Sequence, residues 1–142
     1  MKLSRSEIEI FLPHKDPFLF LDEVEVIDSS TLSGKFEPKE DILILKGHFP
    51  NNPIVPGVIL IESLAQLSCF IGYGQPNPMN FYLVGVDGFK FKKIIKPNDS
   101  LILKVKLENS KLSLYNFSGV IWLNNEKVCE GKLWGTMTKR EL

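Results

Sequence analysis

Ala65 is the only alanine in this chain of 142 residues, and there are just two histidines and two cysteines. Cys69 and Cys129 sit in apolar surroundings without a CxxC spacing, so they are expected to be buried reduced thiols rather than a disulfide. With so few histidines and cysteines, no recognised zinc-ligand pattern can be assembled. Excess charge of either sign is also lacking, since 17 Lys and Arg balance 17 Asp and Glu. That balance removes the global basic field expected of a nucleic-acid binder. The first residues soon meet acids and proline, leaving no signal-peptide hydrophobic region. The apolar run 54–73 approaches membrane-spanning length, but Pro56, Glu62 and Gln66 interrupt it, and a buried central helix is the better reading. A soluble cytoplasmic protein with no membrane or nucleic-acid partner is expected. No linker, repeat or low-complexity tract divides it, so residues 1–142 are read as one domain.

What is present follows a clear order. Residues 6–12 predict a short helix capped by Ser6, and Pro13 and Pro17 then enforce an irregular segment. Residues 18–27 and 31–37 predict strands, with an exposed turn at 39–41. Residues 42–45 lead into a proline-studded loop, 46–55. A helix begins at Pro56-Gly57, where proline in the first turn forfeits no hydrogen bond. It runs to about Tyr73, and Gly72, Gly74 and Pro76 terminate it. After the 75–80 loop come four predicted strands, 81–95, 101–108, 112–123 and 127–138. The first contains a bend at Asp87-Gly88, and Asn124-Asn125 makes the last hairpin turn. One long helix followed by antiparallel strands is an α+β arrangement.

The chemistry concentrates in the stretch from His48 to Gln66. A carboxylate inside an apolar helix costs several kcal/mol unless paired or neutralised, so Glu62 asks for a reason. Glu62 and Gln66, at i and i+4, share a helix face. The helix dipole favours an anion at position 62, and apolar surroundings favour the protonated acid; the sequence leaves that contest open. Free N–H groups at Gly57 and Val58 make a natural oxyanion site. His48, in a stiff loop, is a candidate acid–base partner for Glu62. Each residue has an ordinary alternative: a loop histidine is often structural or solvated, and a buried glutamate often caps a backbone group or pairs with a lysine. His14, between Pro13 and Lys15, is read as structural. The lysines at 90, 92, 93 and 96 read as the solvated face of a strand.

Three motifs carry a resemblance to a known family. They are Leu12-Pro13-His14-x-x-Pro17-Phe18-Leu19-x-x-Asp22, Gly47-His48-Phe49-Pro50-x-x-Pro53-x-x-Pro56-Gly57-Val58 with Glu62 and Ala65-Gln66, and Val86-Asp87-x-x-Lys90-Phe91. Together they resemble the FabZ-type 3-hydroxyacyl-[acyl-carrier-protein] dehydratases, in register over nearly the whole chain. The resemblance implies a hotdog fold, a long antiparallel sheet wrapped around one central helix. It also implies a dimer, commonly assembled as a trimer of dimers, with a tunnel at each interface that takes its histidine from one subunit and its acid from the other. The implied reaction converts a (3R)-3-hydroxyacyl thioester on acyl carrier protein to the trans-2-enoyl thioester, in fatty acid or related polyketide or aryl-polyene biosynthesis. His48 would take the C2 proton, and Glu62 would hold or protonate the departing hydroxyl. Gly57 and Val58 would bind the thioester oxygen, and Gln66 would orient Glu62. Phe49 and Pro56 belong with the substrate-binding wall, and Lys90, Lys92 and Lys93 with carrier-protein docking. No metal or cofactor is implied beyond the carrier's phosphopantetheine.

Glutamate rather than aspartate at position 62 looks like the branch without isomerase activity. Asp16 departs from the family, which usually has an aromatic residue there, and this is expected to alter packing of the N-terminal segment. Two other readings stand beside dehydration: a hotdog acyl thioesterase, and a non-catalytic subunit that binds carrier protein beside an active partner.

Overall fold

The computed structural model describes residues 1–40, 45, 48–49, 51–76 and 79–140. Residues 42–44, together with Lys46, Gly47 and Pro50 of the loop read as 46–55, lie outside the described residues, as do Asn77 and Pro78. The described strands are β1 (Lys2–Leu3), β2 (Glu23–Val26), β3 (Thr31–Phe36), β4 (Met79–Phe91), β5 (Leu101–Lys111), β6 (Leu114–Leu123) and β7 (Glu126–Lys139). The helices are α1 (Arg5–Phe11) and α2 (Gly57–Ser68), the latter continued by a 3-10 turn, Cys69–Gly72. All strand pairs are antiparallel, in the spatial order β1-β2-β3-β5-β6-β7-β4.

α2 lies on one face of this sheet, against β3, β4, β5 and β6. Period-two alternation builds that face: Leu101, Leu103 and Val105 of β5 are buried, while Ile102, Lys104 and Lys106 point away. From the helix, Leu60, Leu64 and Leu67 are almost wholly enclosed. Close approach is possible because Gly34 and Gly119 lie beneath Leu67 and Leu64; a Cβ on either would come within 3.3 Å and 3.0 Å of those side chains. Each such side chain contributes about 1.5–3 kcal/mol by leaving water. The result is the expected α+β architecture with one central helix. Ser63 and Ser68 are tolerated inside because their hydroxyls donate back to Leu60 O at 2.7 Å and Leu64 O at 2.9 Å.

Several element boundaries differ from the sequence expectations. α1 is capped by Ser4, not Ser6, because Ser4 and Glu7 form a reciprocal capping box. Pro56 occupies the cap position of α2 rather than its first turn, and the α-helical part ends at Ser68. β1 has only two residues, too short for a periodic signal. β4 runs Met79–Phe91 instead of 81–95, and carries two bulges, one at Asp87/Lys90 as the Asp87-Gly88 bend suggests. The largest correction concerns the strand expected at 18–27, of which only Glu23–Val26 is strand. Side chains take up the backbone groups before it: Phe20 N–H donates to Gln66 Oε1 at 2.9 Å, and Arg5 Nη1 donates to Leu21 O at 2.7 Å. Asp16, the departure in this segment, forms an ion pair with Arg5 at 2.7 Å.

The remaining turns agree with their residues. Asn124 and Asn125 have φ of 51° and 64°, the mirror-turn geometry suited to a tight hairpin. Both cysteines are free and buried, and burial pushes the thiol pKa values of Cys69 and Cys129 up to about 12 and about 11. Among the described residues no helix is long and apolar enough to cross a membrane.

Candidate active site

His48 is held by the loop that precedes α2. Its Nδ1 lies 3.0 Å from Ile54 O. A carbonyl oxygen only accepts, so this contact assigns the proton to Nδ1 and leaves Nε2 with a free lone pair. The loop is itself tied to the far side of the site, where Val55 N–H donates to Ile95 O at 2.8 Å. Phe49 packs against the imidazole with ring centres 4.6 Å apart, and its φ of 60° places a non-glycine residue in the left-handed region.

The His48 ring opens onto a cleft of about 610 Å³ whose walls include Ile54, Gly57, Leu60, Phe91 and Ile95. Gly57 and Val58 open the helix, and their N–H groups meet no acceptor among the described residues. The space at Gly57 is limited by contact rather than by φ: a Cβ there would come within 3.0 Å of the Phe91 ring, which would have to shift. A base, unpaired N–H donors and an apolar wall therefore meet in one cleft.

Glu62 occupies the next stretch of α2 with two polar neighbours. Gln66 Nε2 donates to its Oε1 at 3.3 Å, and His14 Nε2 lies 3.5 Å from the same oxygen. Burial raises the Glu62 carboxyl above the ordinary range and outweighs the opposing hydrogen bond from Gln66. Burial thus acts on this carboxyl in the direction of the protonated acid. The His14 pKa is lowered by burial first, then by Lys15 and Arg140, which favours a neutral imidazole beside the carboxyl over a salt bridge.

The structure does not bring His48 and Glu62 together within one chain, for neither appears among the other's polar contacts. Gln66 does meet Glu62, as expected, and also bonds Phe18 O and Phe20 N–H, tying α2 to the segment that carries His14. Pro56 and Val58 border the cleft, whereas Phe49 touches the His48 ring and is largely exposed. Lys92 and Lys93 reach the cleft; Lys90 lies on a different surface beside Asp87 and Glu130. Lys92 and Lys93 approach Glu130 and Glu126 at 3.6 Å and 4.0 Å. His14 is the neighbour that sequence reading passed over. Its Pro13 and Pro17 brackets, so like the prolines around His48, were the available signal.

Comparison with known proteins supplies the lineage. The ApeI-like family, described as ApeI dehydratase, matches residues 24–132. A 3-hydroxyacyl-[acyl-carrier-protein] dehydratase FabZ of Enterococcus faecalis is 40% identical, covering 94% of this chain and 96% of that protein. The protein of the same name from Wolbachia of Brugia malayi is 38% identical over 94% of this chain and 95% of its own length. The chain belongs to this dehydratase family. Among solved structures, a dehydratase heterocomplex ApeI:P from Xenorhabdus doucetiae superposes with a TM-score of 0.77 at 17% identity, covering 92% of this chain and 90% of that one. A hypothetical thioesterase with coenzyme A from Streptococcus pneumoniae gives 0.63 at 12% identity, covering 84% and 87%. At such identities these two matches establish the shared hotdog fold and nothing about chemistry. Dehydratase family and hotdog fold are thus reached by independent routes.

Proposed function

We propose that this chain removes water from (3R)-3-hydroxyacyl groups carried on acyl carrier protein, giving the trans-2-enoyl thioester. The observation that carries this reading is His48: its Nδ1 proton is engaged by Ile54 O, and its free Nε2 shares an apolar cleft with the unpaired N–H groups at the start of α2. Nε2 takes the C2 proton, and the Gly57 N–H, aided by Val58, receives the charge that develops on the thioester oxygen. Glu62, favoured as the acid by burial, gives its proton to the C3 hydroxyl as the C3–O bond breaks and the double bond forms. Water leaves, His48 then releases its proton, and Glu62 regains one. The steps call on no group beyond the carrier's phosphopantetheine.

His48 and Glu62 act at one substrate only if a second copy of the chain completes the site. β4 supports that arrangement. It ends the strand order, and it exposes Tyr82, Val84 and Val86. Two such edges pair to join the sheets, which buries apolar surface that a lone subunit leaves in water. Dimers of this kind associate further as a trimer of dimers. Lys92 and Lys93 at the cleft, with Lys90 farther along, receive the acidic carrier protein.

The test is a mixing experiment on carrier-protein substrates, read by mass spectrometry of the acyl product. His48→Ala and Glu62→Gln should each lose roughly 10²–10⁴-fold in turnover. Co-refolding the two inactive variants should restore part of the activity, because some mixed dimers hold one intact site. Near-normal turnover by either variant alone overturns the mechanism, and free acid as the product overturns the reaction.

A further inference from the structure

We propose that His14 is a positioning residue for Glu62: its imidazole, lodged against the carboxyl, fixes the orientation of the acid. The inference rests on the dehydratase reading for its kinetic consequence, and on geometry alone for the contact. His14 Nε2 stands 3.5 Å from Glu62 Oε1, with the two side chains 25% and 23% exposed. Its Nδ1 is buried and has no hydrogen-bond partner among the described residues. The ring stacks near Phe18, centres 6.5 Å apart at 22°.

The segment bearing His14 is built to keep the ring there. Arg5 grips Asp16 at 2.7 Å and Leu21 O at 2.7 Å, while Gln66 holds Phe18 O and Phe20 N–H from α2. Gln66 thereby fixes both partners, since the same amide donates to Glu62. The charged groups around the imidazole are Glu62 from α2, Lys15 on its own segment and Arg140 beyond β7. Both cations are engaged elsewhere. Lys15 Nζ donates to Leu12 O at 2.8 Å and to Glu9 O, and Arg140 Nε donates to Asn80 Oδ1 at 2.9 Å with its guanidinium over Phe11.

A neutral imidazole suits both states of the acid. With the proton on Nε2 it donates to the carboxylate; with the proton on Nδ1 it accepts from the carboxylic acid. Lysine or arginine in its place would serve only the carboxylate, and would pull the acid toward the form that has no proton to give.

The test titrates the Glu62 side-chain carboxyl by carbon-13 NMR in the full-length protein, the resonance being assigned by its loss in Glu62→Gln. His14→Lys should lower the pH of half-titration by about 1–3. His14→Phe, which keeps the ring but not its nitrogens, should raise that pH and cut kcat about tenfold, with KM within about twofold. His14→Asn, an uncharged donor and acceptor, should recover most of the lost kcat. An unmoved Glu62 titration in both the Lys and Phe variants overturns the proposal. So does an Asn variant as impaired as the Phe variant. Retained turnover in Glu62→Gln would bring down the dehydratase role of Glu62 instead, and the titration would still decide whether His14 acts on the carboxyl.

Discussion

Two proline-bounded segments each hold a histidine, and they hold it for opposite ends. The loop at 48–56 gives His48 a backbone carbonyl on one nitrogen and leaves the other facing an open cleft. The segment at 12–22 gives His14 a carboxyl on one nitrogen and buries the other without a partner among the described residues. One arrangement frees a lone pair to act on a substrate; the other spends the ring on a neighbouring side chain. The residue type and the flanking prolines are the same. What each ring nitrogen meets separates a base from a support: a carbonyl of the same loop for His48, a carboxyl from a distant helix for His14.

The contrast can be broken first from the His14 side. Gln66→Leu removes the amide that joins α2 to the 12–22 segment, stranding Phe20 N–H and Phe18 C=O beside an otherwise buried side chain. A loss of about 2–3 kcal/mol in unfolding free energy is expected by denaturant titration, with turnover reduced as Glu62 loses its donor. Unchanged stability would mean that apolar side chains alone seat the segment.

From the His48 side, Gly57→Ala should raise KM several-fold as the new Cβ presses on the Phe91 ring. Stability should stay level or rise by roughly 0.5–1 kcal/mol, because alanine suits a helix better than glycine. A KM that does not move would remove Phe91 from the wall that touches substrate.

The smallest effect sharpens the role of Glu62. Burial raises its folded pKa above the unfolded value, so the folded chain holds this proton more tightly. The stability that proton brings is present at low pH and lost as pH rises through the folded pKa. Glu62→Gln, which cannot ionise, should therefore gain in Tm relative to the parent between pH 4 and pH 8. A gap that narrows with rising pH would contradict the buried, proton-holding state.

Much of this was legible in the residues. The alternation of Leu101, Leu103 and Val105, the Asn124-Asn125 turn and the largely apolar helix around Glu62 are each legible locally, and the structure keeps them. The 18–27 region was misread because β-prone residues there bury their side chains while Gln66 and Arg5, from other elements, satisfy the backbone. The outcome for Glu62 was open for a similar reason: how far its carboxyl is buried depends on packing from other elements. His14 was passed over because its meaning depends on a carboxyl nearly fifty positions away. Asp16, an oddity in sequence, becomes intelligible once Arg5 is beside it.

The two bulges of β4 bear on how this gene can tolerate length changes. Each inserts one extra residue opposite β7, between Leu83 and Gly85 and between Asp87 and Lys90. Each reverses the inside–outside parity of the strand, and together they cancel. Phe81 therefore meets Phe117 in the core, while Phe91 faces the start of α2. Deleting Gly88 alone would leave one reversal uncorrected, turning Phe91 outward and Lys90 toward Gly57. Removing one residue at each bulge would preserve the parity at both ends. Along this strand, single-codon deletions are the damaging ones, and matched pairs are the survivable edits.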